Sequence, residues 1–128
     1  METKTMGPRN LGFVLSEASG NRSYENVVIA SGAGELKPGA VLGMVTASDK
    51  YVGSTEAEVV GKEGAETATA ILAYGVDATS ADVEAVIMRR DGEVKKDFLV
   101  FDASVDNATK IAAKHTQLAA AGVNIIVR

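Results

Sequence analysis

Only one stretch of this chain carries the period of an amphipathic helix. In residues 105–121, Ala108, Ile111, Ala112, His115, Leu118 and Ala119 recur at the spacing that gathers side chains on one helical face. Asp106 or Ser104 supplies an N-cap, because a short oxygen-bearing side chain accepts from the unpaired N–H groups of a first turn. Gly122 supplies the C-terminal stop. Every other apolar run is short and bounded by turn formers. The chain therefore reads as mainly β with one C-terminal helix, an α+β domain.

The strand candidates are residues 12–15, 26–30, 40–47, 51–52, 57–60, 70–77, 83–89, 93–95 and 123–127. Pro38-Gly39 predicts a turn, since proline presets its own φ and glycine accepts a positive one. Asp91-Gly92 predicts a tight turn joining the strands on either side as an antiparallel pair. Gly75, inside an apolar run, predicts a bulge or a close backbone approach. Residues 98–101 form an apolar cluster that plugs the core as a short turn of helix.

Residues 1–34 differ from the remainder. They are polar and dotted with Gly7, Gly12, Gly20, Gly32 and Gly34. The runs 12–15 and 26–30 can pair as a hairpin, but a lone hairpin is marginal in water. Residues 22–32 then have two readings. They are an edge strand of the chain's own sheet, or a strand added to the sheet of another chain, where main-chain hydrogen bonds supply affinity.

Composition removes several chemistries. A chain of 128 residues and 13.2 kDa suits one domain. With no cysteine, it has no disulfide, thiolate nucleophile or cysteine-held metal. Its single histidine, His115, rules out a two-histidine metal site within one chain. Thirteen Lys and Arg against seventeen Asp and Glu argue against a nucleic-acid partner. The polar start lacks the apolar stretch of about 7–15 residues that a signal peptide needs. No run approaches the roughly 20 apolar residues of a membrane span, so synthesis and retention in a cytoplasm are expected.

No remaining constellation supplies a reaction. Gly32-Ala33-Gly34 lacks the third glycine and the following helix of a dinucleotide fingerprint. Asp77, Asp82, Glu84 and Asp91 are dispersed and read as turn-solvating groups. Arg89-Arg90 and Lys95-Lys96 flank the Asp91-Gly92 turn and read as an exposed tip that meets an acidic surface. The plain reading of His115 is a helix-edge histidine against the core or a neighbouring subunit. A general base would need a partner that its sequence neighbours do not supply. No catalytic, cofactor-binding or metal-ligating residue is assigned, and the chain is expected not to be an enzyme.

Four runs, taken in order and spacing, carry a family resemblance: residues 21–32, 34–43, 70–78 and 85–94. Together they resemble the phage lambda head decoration protein family over residues 11–128. The resemblance implies a homotrimer seated outside an expanded icosahedral head, at three-fold and quasi-three-fold positions, stabilising it by clamping neighbouring major capsid protein subunits. It also implies an extended capsid-binding arm, residues 1–34, that adds a strand to a capsid sheet, followed by a compact β-rich domain, residues 35–128.

The arm contacts would be Phe13, Val14, Leu15, Arg22, Tyr24, Asn26, Val27, Val28 and Ile29. Trimer contacts would include Phe98, Leu99, Phe101 and His115. The partners implied are the major capsid protein and further copies of the chain, with no nucleic acid, membrane or cofactor. The location implied is the outer surface of a phage head, after synthesis in the host cytoplasm. The chain departs from the pattern at Val100-Phe101-Asp102, where the best-known member has an aromatic residue and a proline. Two other readings stand beside this one. The first is a small oligomeric ligand-binding or hydrolytic domain with an interface site around His115. The second is a tail or fibre-tip trimer.

Overall fold

The computed structural model describes residues 9–20 and 22–128. Residues 1–8 of the expected arm, and Asn21, lie outside the described residues. The strands, in chain order, are β1 (Val14–Glu17), β2 (Tyr24–Ile29), β3 (Gly34–Leu36), β4 (Val41–Met44), β5 (Tyr51–Gly53), β6 (Ala70–Leu72), β7 (Val76–Ala78), β8 (Val83–Met88) and β9 (Gly92–Val94). A 3-10 turn (Lys96–Phe98), helix α1 (Ala108–Leu118) and β10 (Ile125–Val127) complete the chain.

Strands this short cannot bury themselves singly, and five of them close into a barrel in the order β2-β5-β4-β6-β8. β4 and β6 carry no polar side chain because both of their faces are covered. Leu42, Ala70, Leu72 and Ile87 pack with Ile29 and Tyr51 in one buried cluster. Their alternates Val41, Ile71 and Met88 pack in a second cluster with Phe13, Val94, Leu118 and Ile125. Two-residue alternation thus serves two cores at once. The second core is closed by the sheet β1-β9-β10 and by α1.

Local chemistry sets the turns. The Lys37 carbonyl accepts from the Ala40 N–H at 3.0 Å, with Gly39 at φ 92, so Pro38-Gly39 makes the expected turn. A Cβ on Gly43 would strike the Ala65 backbone, so only glycine lets these two segments touch. The run 70–77 breaks into β6 and β7 at Tyr74-Gly75. A Cβ on Gly75 would stand 3.2 Å from Pro38 Cδ, the close approach expected there.

Several expectations are corrected. Residues 12–15 and 26–30 form no hairpin: β1 pairs with β9, and β2 pairs with β8 along its whole length. Ile29 also meets Tyr51 of β5, which closes the barrel. Asp91-Gly92 does not join a paired hairpin, because β8 lies in the barrel and β9 in the smaller sheet. Asp91 takes φ 54 so that the chain can cross between them. Residues 57–60 are loop rather than strand.

The helix is shorter than the sequence period, and its N-cap is Asn107, whose Oδ1 accepts from Lys110 N at 3.0 Å. Its buried residues are Lys114 and Leu118, while Ala108, Ala112 and Ala119 are exposed. The inward face is therefore rotated from the one the alanines marked. The packed body also begins well before residue 35. Phe13 is 1% exposed within the second core, and Ile29 is buried inside the barrel.

Candidate functional site

The register of β2 against β8 decides which side chains face out. Tyr24 lies opposite Met88, Asn26 opposite Val86 and Val28 opposite Glu84. These alternate with Val27, Ile29, Ala85 and Ile87, which pack into the barrel core. Met88 is buried in the second core, and the rest of this row, Tyr24, Asn26, Val28, Glu84 and Val86, forms the floor of a groove. Two adjoining hollows of about 410 and 450 Å3 share Asn26, Tyr74 and Val86. Leu11, Glu17 and Tyr24 line one of them, and Val28, Val76 and Glu84 line the other.

Tyr74 stands in this groove with 43% of its surface exposed. The break at Gly75 turns it outward, and the main chain there is held by bonds from Leu11 N to Ala73 O at 2.9 Å and from Gly75 N to Asn10 Oδ1 at 3.1 Å. Burial, followed by a hydrogen bond and the negative charge of Glu17, pushes the Tyr24 phenol above its usual range, so it stays protonated. The groove thus joins apolar and aromatic surface to the carboxyl groups Glu17 and Glu84, and to Glu25, which is paired with Arg90 at 3.0 Å, a chemistry suited to a basic, apolar chain segment.

The structure separates the residues that the resemblance assigned to an arm. Tyr24, Asn26, Val27 and Val28 line the groove. Phe13 and Ile29 are core. Val14 packs against the second core, and Arg22 is exposed, its carbonyl accepting from the Arg90 guanidinium at 2.9 Å. Buried Ser23 ties this segment to the body: its hydroxyl accepts from Ala18 N at 2.9 Å and donates to Asp91 O at 3.0 Å. Leu15 sits at the register shift of β1 and is 45% exposed. β1 is an end strand of its sheet, paired with β9 alone among the described residues.

The residues assigned to trimer contacts also divide. Phe98 is 51% exposed beneath the Lys95 ammonium, which stands 4.9 Å from its ring centroid. Leu99 is buried. Phe101 and His115 are half-buried with their ring centroids 6.0 Å apart. Burial, and then the charge of Lys96, lowers the His115 pKa, and its Nε2 is buried without a hydrogen-bond partner. Among the described residues no group of three His, Cys, Asp or Glu is placed to hold a metal ion. No described helix is long and apolar enough to cross a membrane.

Sequence reasoning did not single out Leu11, Tyr74 or Val86 as surface residues. The one available signal was the aromatic residue placed directly before Gly75, where a strand must break. A further unassigned feature is the loop between β5 and β6, whose Val60 is the most exposed large apolar side chain of the described residues.

A family model described as Bacteriophage lambda head decoration protein D matches residues 3–123. No curated protein matches the sequence.

Proposed function

The chain belongs to the bacteriophage lambda head decoration protein family, a structural class of virion protein that binds the phage capsid, and we propose that it works as a homotrimeric cement on the outside of an expanded head. The family match over residues 3–123 is the observation that carries this reading. Each trimer sits at a three-fold or quasi-three-fold position and bridges neighbouring copies of the major capsid protein. Three contacts on one rigid body raise the effective concentration of each, so individually weak contacts become strong together. Their spacing has to match the lattice, which makes binding selective for the expanded state.

Strand addition to a capsid sheet is the natural use of the N-terminal segment. β2 has partners along its length, whereas β1 ends its sheet and pairs with β9 alone among the described residues. We assign the capsid contact to that edge, to exposed Leu15 and to the residues before Arg9, with the β2–β8 groove as the receiving surface for a capsid segment.

Co-sedimentation with expanded heads tests this, using the intact chain, a chain lacking residues 2–8, and Leu15→Glu. The intact chain is expected to bind, and both variants to bind at least about tenfold more weakly, in line with the loss of a central contact. Failure of the intact chain to bind would overturn the cement role. Undiminished binding by both variants would overturn the assignment to β1 and the segment before it.

A further inference from the structure

The loop between β5 and β6 is fastened at its base and bare at its tip. The Lys114 ammonium donates to Thr55 O and Glu66 O at 2.6 Å each, and to Ser54 Oγ at 2.9 Å. Ser54 Oγ donates to Ala65 O at 2.8 Å, and Ser104 Oγ accepts from Glu56 N at 2.9 Å. On the return limb Thr46 N donates to Glu63 O at 2.9 Å. At the far end Lys62 N donates to Val59 O at 2.9 Å, with Gly61 at φ 86 closing the turn.

That turn holds Val59 partly exposed and Val60 96% exposed. Turn tips ordinarily carry Gly, Asn, Asp, Ser or Pro, so two adjacent valines on a fixed base present apolar surface that the described residues leave exposed. Three exposed carboxylates, Glu56, Glu58 and Glu63, stand round the tip against the single ammonium of Lys62.

A second patch has the complementary character. Phe98 lies half in solvent under Lys95, with exposed Lys96 two residues before it. A Cβ on Gly39 would strike the Phe98 carbonyl, so the turn that begins at exposed Lys37 packs against the main chain at Phe98. The patch is aromatic and bordered by Lys37, Lys95 and Lys96, with exposed Asp97 beside them, so cations outnumber the carboxylate. The β2–β8 groove carries Glu17 and Glu84, besides a Glu25 paired with Arg90 at 3.0 Å, and would repel an acidic tip.

Two unlike, complementary patches on one chain produce a head-to-tail contact, which forms a closed ring when the rotation between copies permits. We infer that the Val59-Val60 tip of one copy packs on Phe98 of the next, with Glu56 and Glu58 facing Lys95 and Lys96, and that three such contacts close the trimer. This rests on the homotrimer reading above and adds the interface to it.

The cysteine-free chain makes disulfide trapping clean. Val60→Cys and Phe98→Cys chains are co-expressed and oxidised, and Lys96→Cys replaces Phe98→Cys if the latter misfolds. The expected result is a covalent pair from the mixture, none from either variant alone, and a covalent trimer from the doubly substituted chain. A trimer by native mass that shows no mixed disulfide, a Val60→Cys chain that links to itself, or a Val60→Cys chain that links only to capsid subunits would each overturn the interface.

A charge exchange gives a second readout. Glu56→Lys with Glu58→Lys is expected to weaken trimer association at least tenfold, and adding Lys95→Glu with Lys96→Glu to restore it. No weakening, or no restoration, counts against the contact. A chain that stays monomeric throughout overturns the homotrimer reading itself, whereas a trimer lacking the trapped pair overturns only this interface.

Discussion

Lys114 and Ser54, 60 residues apart in the chain, meet through a 2.9 Å hydrogen bond from a buried ammonium to a buried hydroxyl. Two backbone carbonyls, from Thr55 and Glu66, complete the set of acceptors. Burial lowers the Lys114 pKa, and the carboxylates of Glu56, Glu66 and Asp102 oppose that shift. The ammonium supplies one donor for each of three converging acceptors. Lys114→Met keeps the aliphatic stem and leaves those acceptors unpaired. It is expected to lower stability by about 2–4 kcal/mol, the scale for breaking a buried charged hydrogen-bond set. Urea unfolding measures this, and a loss below about 0.5 kcal/mol, the range of ordinary surface changes, would mean the set does not hold the loop.

Phe13 and Leu15 lie two residues apart and should behave oppositely. Phe13 is enclosed by both the barrel and the helix, so Phe13→Ala is expected to cost about 3–5 kcal/mol, as large aromatic truncations do. Leu15 stands out at the β1 register shift, so Leu15→Ala should change stability by no more than about 0.5 kcal/mol while weakening attachment to heads. Parallel urea titrations and head co-sedimentation separate the two roles. Equal stability losses would show that β1 has no outward face.

Much of this arrangement was legible before the fold. β4 and β6 stood out because their two covered faces leave no polar side chain in them, β8 by its β-branched content, and Pro38-Gly39 declared its turn. Pairing was less legible, because register is a long-range choice. Asp91-Gly92 needs only a positive φ at Asp91, and that geometry serves a crossing between two sheets as well as a hairpin. The polar, glycine-dotted composition of residues 1–34 suggested an arm, yet one aromatic residue at Phe13 and one well-registered strand bind most of the described part into the body. The helix face was misjudged because the small alanines were counted inward and Lys114 was not. Lys114 is an inward position, made tolerable by three acceptors that lie far away in sequence.

His115 gives the fold a defined response to acid. Its pKa is lowered from 6.5 by burial and then by Lys96, so as pH falls the unfolded chain takes up the proton first. Stability from this group is complete above pH 6.5 and is lost as pH drops from 6.5 through the folded-state value. Against His115→Gln, which does not titrate, the native chain should lose relative stability between pH 7 and pH 5. The carboxylates titrate alike in both chains and cancel. A stability difference that stays constant across that range would place His115 in an environment where its charge is tolerated.

Tyr74 tests the groove without disturbing the core. Its ring is exposed beside Asn26 and Val86, on a stretch whose main chain is fastened by Leu11 and Asn10. Tyr74→Ala should therefore leave the unfolding midpoint nearly unchanged. Truncating a central aromatic contact commonly costs more than about 1 kcal/mol of binding, and several contacts acting together multiply that loss. Head binding is accordingly expected to fall at least about tenfold. The neighbouring Glu17, Glu25 and Glu84 add a second signature, since attraction to a basic segment weakens with salt. Binding measured between low and high ionic strength should decline for the native chain and decline less for Glu84→Gln. If Tyr74→Ala binds as the native chain does and both salt responses are flat, the capsid contact lies elsewhere and rests on β1 alone.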